Sequence, residues 1–544
     1  MPISRYVVSL WKIAFPDVTF FLSFVVLGGS VVLGGGTHSG FLADVLLQLA
    51  ALPLLWVATI QLASAHSVSR LKRPLLFIAA LASLPLIQLI PLPALLWTRL
   101  PGHNVVANTY VLLGEALPWW PLTLSPASTW LSALAILPPA ALFLATLSLS
   151  YRQRRKLSAL VVVMGVVSAF LGLLQLAGGT HSALRFYAIT NSTEAVGFFA
   201  NRNHFAALLY VTMLFSICWT VEFATPLRAQ SRRRLFDTHA IMGFAGFGIA
   251  FVVLLTGQLM ARSRAGMLLA ILAVLSSFPI IASDRRMRSV GFVSTKVFMG
   301  VAVATVVLSL PVALYRILDR FGVDSVTDAR FTIVRNTTSA ALAYMPFGSG
   351  LGTFVPVYQM FEKPGDIGAA YINHAHNDLL ELWLEAGLPG LALAIIYFGW
   401  LVHRMRGIWR GAATAQLRTI DQGIIKAAAV VLFLLIVHSL VDYPLRTYAM
   451  AAIAAFCSAV LIAPVGILPE PRPGAMRSQG FRIERRASRR NRRDGTEKDR
   501  NRQTRPRELL GQSVDWPAAW CSPEVRASTE PQVTPESVGP ESGS

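Results

Sequence analysis

Apolar residues in this chain come in blocks of about 20, the length that crosses a bilayer as an α-helix, and no other feature constrains its fold as strongly. About twelve blocks are read, near residues 15–35, 41–63, 74–97, 128–150, 157–177, 204–224, 240–260, 265–282, 297–315, 388–403, 423–440 and 448–468. A single water-soluble core is excluded. Of 544 residues, 54% are hydrophobic and only 14% charged, where a soluble domain carries roughly 25% charged residues. An all-α polytopic membrane protein is therefore predicted. The first block follows Arg5 and Lys12 and runs into Gly34-Gly35-Gly36-Thr37 without a small-x-small cleavage site, which reads as a retained anchor rather than a signal peptide.

Lys and Arg alternate between loops, and positive residues stay on the cytoplasmic side of a membrane. One set of loops holds Arg70, Lys72 and Arg73, the run Arg152 to Lys156, Arg232 to Arg234, Arg285 to Lys296, and Arg404 to Arg418. That set is expected to be cytoplasmic, with both termini inside. The opposite set carries Arg99, Arg185, Arg202, Arg262, Arg264, Arg316, Arg320, Arg330, Arg335, Lys363 and Arg446, all Arg but one. Arg offers phosphate oxygens a fixed fork of donors where Lys is a flexible point charge, so an anionic ligand on the external face is suggested. Pairing with Asp324, Asp328 and Glu362, or anchoring at span ends, is the plainer use of any one of them.

The longest external loop, about residues 316–387, should fold. Asp328 to Tyr344 and Ala375 to Ala386 read as short helices, and between them Gly348, Gly350 and Gly352 alternate. Such a strip allows a tight turn or an approach of backbone N–H groups to phosphate, although a plain loop needs the same glycines. After about residue 470 the composition changes: residues 472–544 carry 15 Lys or Arg and 10 Asp or Glu with few aliphatics. The domain division is thus 1–470, membrane-embedded, and 471–544, a basic tail expected to be disordered and cytoplasmic, near anionic lipid. Cys218, Cys457 and Cys521 have no CxxC spacing and support neither a disulfide framework nor a zinc site.

The most informative segment is Asn373-His374-Ala375-His376-Asn377-Asp378-Leu379-Leu380-Glu381, continuing to Glu385-Ala386-Gly387-Leu388-Pro389-Gly390. A helix from His376 to Ala386, ended by Gly387, places His376 at the external membrane surface. Two histidines beside Asp378 and Glu381 could ligate metal, but no further His or Cys cluster accompanies them. A histidine oriented by a carboxylate is the usual general base near neutral pH. His438 and Asp442, at i and i+4, read as a buried structural pair, and His204 as a span cap. Trp97, Trp119, Trp120 and Trp130 read as interface anchors, with Trp119 and Trp120 also suited to stacking on sugar rings.

His376-Asn377, nine residues, Gly387, two residues and Gly390 resembles the signature of the bacterial O-antigen ligase/polymerase family. The blocks Arg330 to Arg335, Pro346 to Phe354, Ser263 to Gly266, Gly197 to His204 and His438 to Leu445 are similar to further segments of that family, and the resemblance spans about residues 160–450. It implies a GT-C-like membrane protein of about 12 transmembrane helices in the bacterial inner membrane. The implied chemistry transfers a glycan from undecaprenyl pyrophosphate to an acceptor hydroxyl, lipid A-core or glycan, on the external face, with no cofactor, metal or nucleic acid. His376 is then the base, with Arg264 and Arg330 on the pyrophosphate. Arg202, Arg335, Asn377, Asp378, His374 and Arg262 are further substrate-binding candidates. A twelve-span secondary transporter or polysaccharide exporter is the rival reading. Transporters built from repeated halves show matching hydropathy about a central loop and charges near the midplane, and neither is seen here.

Overall fold

The structure, a computed structural model, describes residues 3–38, 40–64, 68–229, 238–282, 325–368, 371–411 and 417–465, all within the compact unit Met1–Pro473. The expected span near 297–315 and the basic tail lie outside the described residues. The chain forms α1 (Ile3–Leu33), α2 (Leu42–Ser64), α3 (Val68–Gln88), β1 (Pro91–Leu92), α4 (Ala94–Trp97), α5 (Asn104–Leu113) and β2 (Trp120–Pro121). Next come α6 (Pro126–Ala135), α7 (Leu137–Ser148), α8 (Tyr151–Ala177), α9 (Arg202–Ala229), α10 (Thr238–Met260) and α11 (Arg264–Ala282). Last are α12 (Ser325–Ala343), α13 (Phe354–Phe361), α14 (Asp378–Trp409), α15 (Thr419–His438) and α16 (Tyr448–Val460). Among the described residues the sheet is confined to the antiparallel pair β1–β2.

Among the described residues seven stretches are long and apolar enough to cross a membrane: Leu42–Ser64, Leu71–Gln88, Pro126–Ser148, Tyr151–Ala177, Arg202–Phe223, Asp378–Trp409 and Thr419–His438. Shorter apolar helical stretches cover Asp17–Leu33, Ala245–Met260, Arg264–Ile280 and Tyr448–Val460. Each of these falls on a block read from the sequence, whereas a further short apolar helix, Asn104–Leu113, falls on none, and the described residues hold fewer full-length spans than the about twelve expected. A helix apolar all round belongs inside a bundle, and α9 takes that place: every residue from His204 to Cys218 is buried. It packs against α8, α10, α11 and α15, which fixes where its first turn, Arg202-Asn203-His204, points.

At the other end of the bundle, Ser150 and Gln153 close a reciprocal capping box at the start of α8. One turn on, Arg154 donates to the carbonyls of Thr146, Leu149 and Ile462. It thereby satisfies the ends of α7 and α16, whose last carbonyls have no partner inside their helices. Arg155 donates to both carboxylate oxygens of Asp421 at 2.8 Å. Much of the basic signal at this end is therefore structural.

The long loop folds as expected. α12, α13 and the first turns of α14 enclose a core of their own around Ile333, Tyr344, Phe354, Tyr358 and Leu384. The predicted helix at 328–344 is observed as Ser325–Ala343, whereas the helix expected from His376 starts two residues later. Asn377 is its N-cap, accepting from the amides of Leu379 and Leu380 at 3.0 Å, and His376 sits ahead of it at φ 49°. The break at Gly387 is also found. α14 passes through that residue at φ 55°, ψ −145°, so that 378–386 and 388–409 run in different directions.

The glycine strip explains how that kink is held. The amides of Ser349 and Gly350 donate to the carbonyls of Leu384 and Glu385, both at 2.9 Å, and those of Gly352 and Phe354 donate to the Glu385 carboxylate at 3.0 and 3.2 Å. The Leu351 amide donates to Gln88 at 2.9 Å. The backbone donors that would have cradled a phosphate thus wrap an internal carboxylate, so the strip is a packing loop and not an anion nest. A Cβ at Gly387 would lie 2.2 Å from the Pro346 carbonyl oxygen. Gly387→Ala is therefore expected to cost roughly 1–3 kcal/mol of stability. Gly248→Ala on α10, where a Cβ meets nothing within 4 Å, should be neutral. Thermal unfolding of both variants in detergent checks this, and equal midpoints would refute the packing role of the kink.

Candidate functional site

The first turn of α9, the approach to α14 and the turn after α15 converge at one end of the bundle. The turn after α15 exists because that helix ends at Ser439 and Pro444 cannot continue a helix. Here Asp442 is buried, and a buried carboxylate needs donors. It receives them from three segments. His376 Nδ1 donates to Asp442 Oδ1 at 3.3 Å, the Tyr443 amide donates to the same oxygen at 3.0 Å, and Asn203 Nδ2 donates to Oδ2. His204, fully buried, places Nε2 4.0 Å from Oδ1. Burial alone would raise the Asp442 pKa. The His376 hydrogen bond and the surrounding histidines outweigh it and hold the group well below the usual carboxylate range.

His376 is fixed on one side only. Its Nδ1 is tied to Asp442, Nε2 has no hydrogen-bond partner among the described residues, and the side chain is 28% exposed. The Tyr443 ring meets the imidazole edge-on with centroids 5.1 Å apart. A carboxylate on Nδ1–H selects the tautomer that leaves Nε2 as acceptor, which is the geometry of a general base. The orienting carboxylate is thus Asp442, 66 residues away, and not the neighbouring Asp378 or Glu381.

His374 has the opposite character. Nδ1 faces Glu381 Oε1 at 2.8 Å and Nε2 faces the Thr37 carbonyl at 2.9 Å. Both partners accept only, so both nitrogens must carry protons. Burial would lower the His374 pKa, but the Glu381 carboxylate overcomes that and raises it. The ring packs against Tyr443 with centroids 4.1 Å apart. His374 is a structural cation.

Behind it, Arg446 donates to Glu385 at 2.7 Å and contacts Glu381 at 3.3 Å and Asp378 at 3.7 Å. Asp378 also accepts from Ser439 Oγ at 2.6 Å. These three carboxylates lie along the same side of α14 at spacings of three and four. Among the described residues no group of three or more His, Cys, Asp or Glu is arranged to hold a metal ion.

The other candidates are distributed around this centre. Arg330, on α12, is near enough for its charge to act on His438, whose Nδ1 meets the Tyr210 hydroxyl at 3.3 Å. Arg264 opens α11, which packs on α9 beside the site. Arg262 is exposed, at φ 51° in the turn between α10 and α11. Arg202 pairs with Glu194, and Arg335, exposed, pairs with Asp366 at 2.9 Å. Asn377 caps α14 and donates to the Leu440 carbonyl at 2.9 Å. Sequence reasoning picks out the block His438 to Leu445 and reads Asp442 as a structural partner of His438, but it does not assign Asp442, Tyr443, Arg446 or Glu385 to the site. The signal available for the first three is that His438, Asp442, Tyr443 and Arg446 cluster just after an apolar span; Glu385 had none beyond its i, i+4 spacing from Glu381.

Because the His374 pKa is raised, the stability its ion pair contributes is fully present below the ordinary histidine value and is lost as pH rises through the raised one. Wild-type protein is expected to lose stability as pH rises through that step, and His374→Gln to lack it. Unfolding in detergent followed against pH checks this, and an identical step in the variant would refute it. Asp442, whose pKa is lowered, acts in a separate acid window: its contribution is present above the ordinary aspartate value and lost as pH falls through the depressed one.

No curated protein matches the chain. Residues 249–395 match the family model described as O-Antigen ligase. That segment includes Arg264, Arg330, His374 and His376 and stops before Asp442 and Arg446, which the fold brings to them. The similarity to the O-antigen ligase family is thus carried by about a quarter of the chain, the segment that holds the histidine turn of the site.

Proposed function

We propose that the protein transfers a glycan from undecaprenyl pyrophosphate to an acceptor hydroxyl at the periplasmic face of the inner membrane, as an O-antigen ligase or as an O-antigen or exopolysaccharide polymerase. The observation that carries this reading is the partly exposed His376, held through Nδ1 by buried Asp442 with Nε2 left over. In the proposed step Nε2 takes the proton of the acceptor hydroxyl, whose oxygen bonds to the anomeric carbon. The bond from that carbon to the pyrophosphate oxygen breaks, and its electron pair leaves with the pyrophosphate. Attack opposite the leaving group inverts the anomeric centre. Asp442 stabilises the imidazolium as it forms.

Pyrophosphate leaves readily once its growing charge is met by fixed positive charge, the role assigned to Arg264 and Arg330. Arg202 and Arg335, engaged with Glu194 and Asp366, are further contacts that an incoming phosphate would have to share with those carboxylates. His374, Asn377 and Asp378 act by fixing the turn that carries His376. Both termini are proposed to be cytoplasmic.

Transfer by purified protein from a lipid-linked donor tests the assignments. His376→Ala is expected to lower the rate by about 10²- to 10⁴-fold. Asp442→Asn, which favours the wrong tautomer, should cost a loss in the upper part of that range. Arg264→Lys and Arg330→Lys keep the charge but lose the fork and should each cost about 10²- to 10³-fold, in proportion to a lost oxyanion donor. Near-wild-type turnover of His376→Ala would remove the base from the mechanism, and activity restored only by a divalent ion would replace it with metal chemistry.

A further inference from the structure

We infer that the segment between α3 and α6, residues 89–125, is seated in the lipid leaflet on the site's side of the membrane, with α5 inserted among the lipid chains. α5 is ten residues long, too short to cross a bilayer, and buries none of its side chains against the protein. Leu112 is 86% exposed, and Val111 and Leu113 are exposed beside it. Residues 100–114 contain no Asp, Glu, Lys or Arg. An apolar surface of this kind, free of charge, is not left to water in a stable protein.

Continuity with the lipid-facing side of the bundle identifies what covers it. Leu86 and Ile87 are exposed at the end of α3, a membrane-crossing helix. The exposed surface then runs on through Ile90, Leu95 and Leu96 to α5 and reaches Trp119, 70% exposed, before Trp130 and Leu134 on the next crossing helix. Tryptophan at the level of the headgroups is the usual border of such a surface. The segment is also rigid. Trp97 is buried and donates to the Pro118 carbonyl at 2.8 Å, His103 Nε2 donates to the Leu122 carbonyl at 2.8 Å, and β1 pairs with β2.

Its inner edge is joined to the site. The Leu124 amide donates to the Ser349 carbonyl at 2.9 Å, Thr129 donates to the Leu351 carbonyl at 2.7 Å, and Gln88 Nε2 donates to the Glu385 carbonyl at 3.0 Å. The depth at which α5 settles therefore sets the height of the glycine strip, and through Glu385 and Arg446 that of the histidine turn, relative to the membrane surface.

A nitroxide at Leu112→Cys in the full chain, with Cys521→Ser, reconstituted into nanodiscs of phosphatidylethanolamine and phosphatidylglycerol, tests the inference. A second label at Gly365→Cys, in the polar part of the cap, serves as reference. At 112, collision with dissolved oxygen should exceed collision with a water-soluble nickel chelate, and the order should reverse at 365. Free access of the nickel chelate at both positions would overturn the inference. So would dipolar broadening between labelled copies at 112, which would give the face to a second copy of the chain.

Discussion

Everything at the site rests on the buried carboxylate of Asp442. A charge taken out of water must be met by donors or it will not stay charged, and Asp442 meets that demand from three separate segments: Asn203 at the head of α9, His376 before α14, and the turn after α15. The requirement that stabilises the carboxylate also brings these segments together. His376 is the one donor among them that keeps a second nitrogen for chemistry, and its left-handed backbone at φ 49° is the local strain that such a position tolerates when the surroundings over-determine it.

A second polar network fixes the first in place. Arg446 faces Asp378, Glu381 and Glu385, and the doubly protonated His374 supplies a further positive charge to Glu381. Glu385 in turn holds the glycine strip through its carboxylate. Three buried carboxylates close together on one helix would repel one another and could not all stay charged if left unpaired. Arg446 offsets that repulsion and so joins α14 to the segment carrying Asp442. Histidines two residues apart acquire opposite duties from their partners, His374 as a cation paired with Glu381 and His376 as an acceptor.

Much of the frame was legible because it depends on local pattern. Apolar blocks, the α12 helix and the break at Gly387 each follow from composition or periodicity over a few residues. His376 was singled out by its place in a spaced motif. Its partner was not, since no periodicity links residues 376 and 442, and Asp442 already satisfied a helical i, i+4 reading with His438, a turn that the structure keeps through the Asp442 amide on the His438 carbonyl at 3.0 Å. Arg446 was counted among external arginines, but its three carboxylate partners depend on tertiary packing. The glycine strip was open to two readings, and only the positions of Leu384, Glu385 and Gln88 decide between them. The segment 89–125 escaped because its strands are two residues long and α5 has no buried face to give a period.

The most direct test of the central claim is the pH dependence of kcat/KM for transfer in wild-type protein and in His376→Ala, across the neutral range. If His376 held by Asp442 is the base, the wild-type rate rises with pH through one ionisation, and the residual activity of the variant is low and lacks that limb. The same limb in both proteins would mean that the titrating base lies elsewhere.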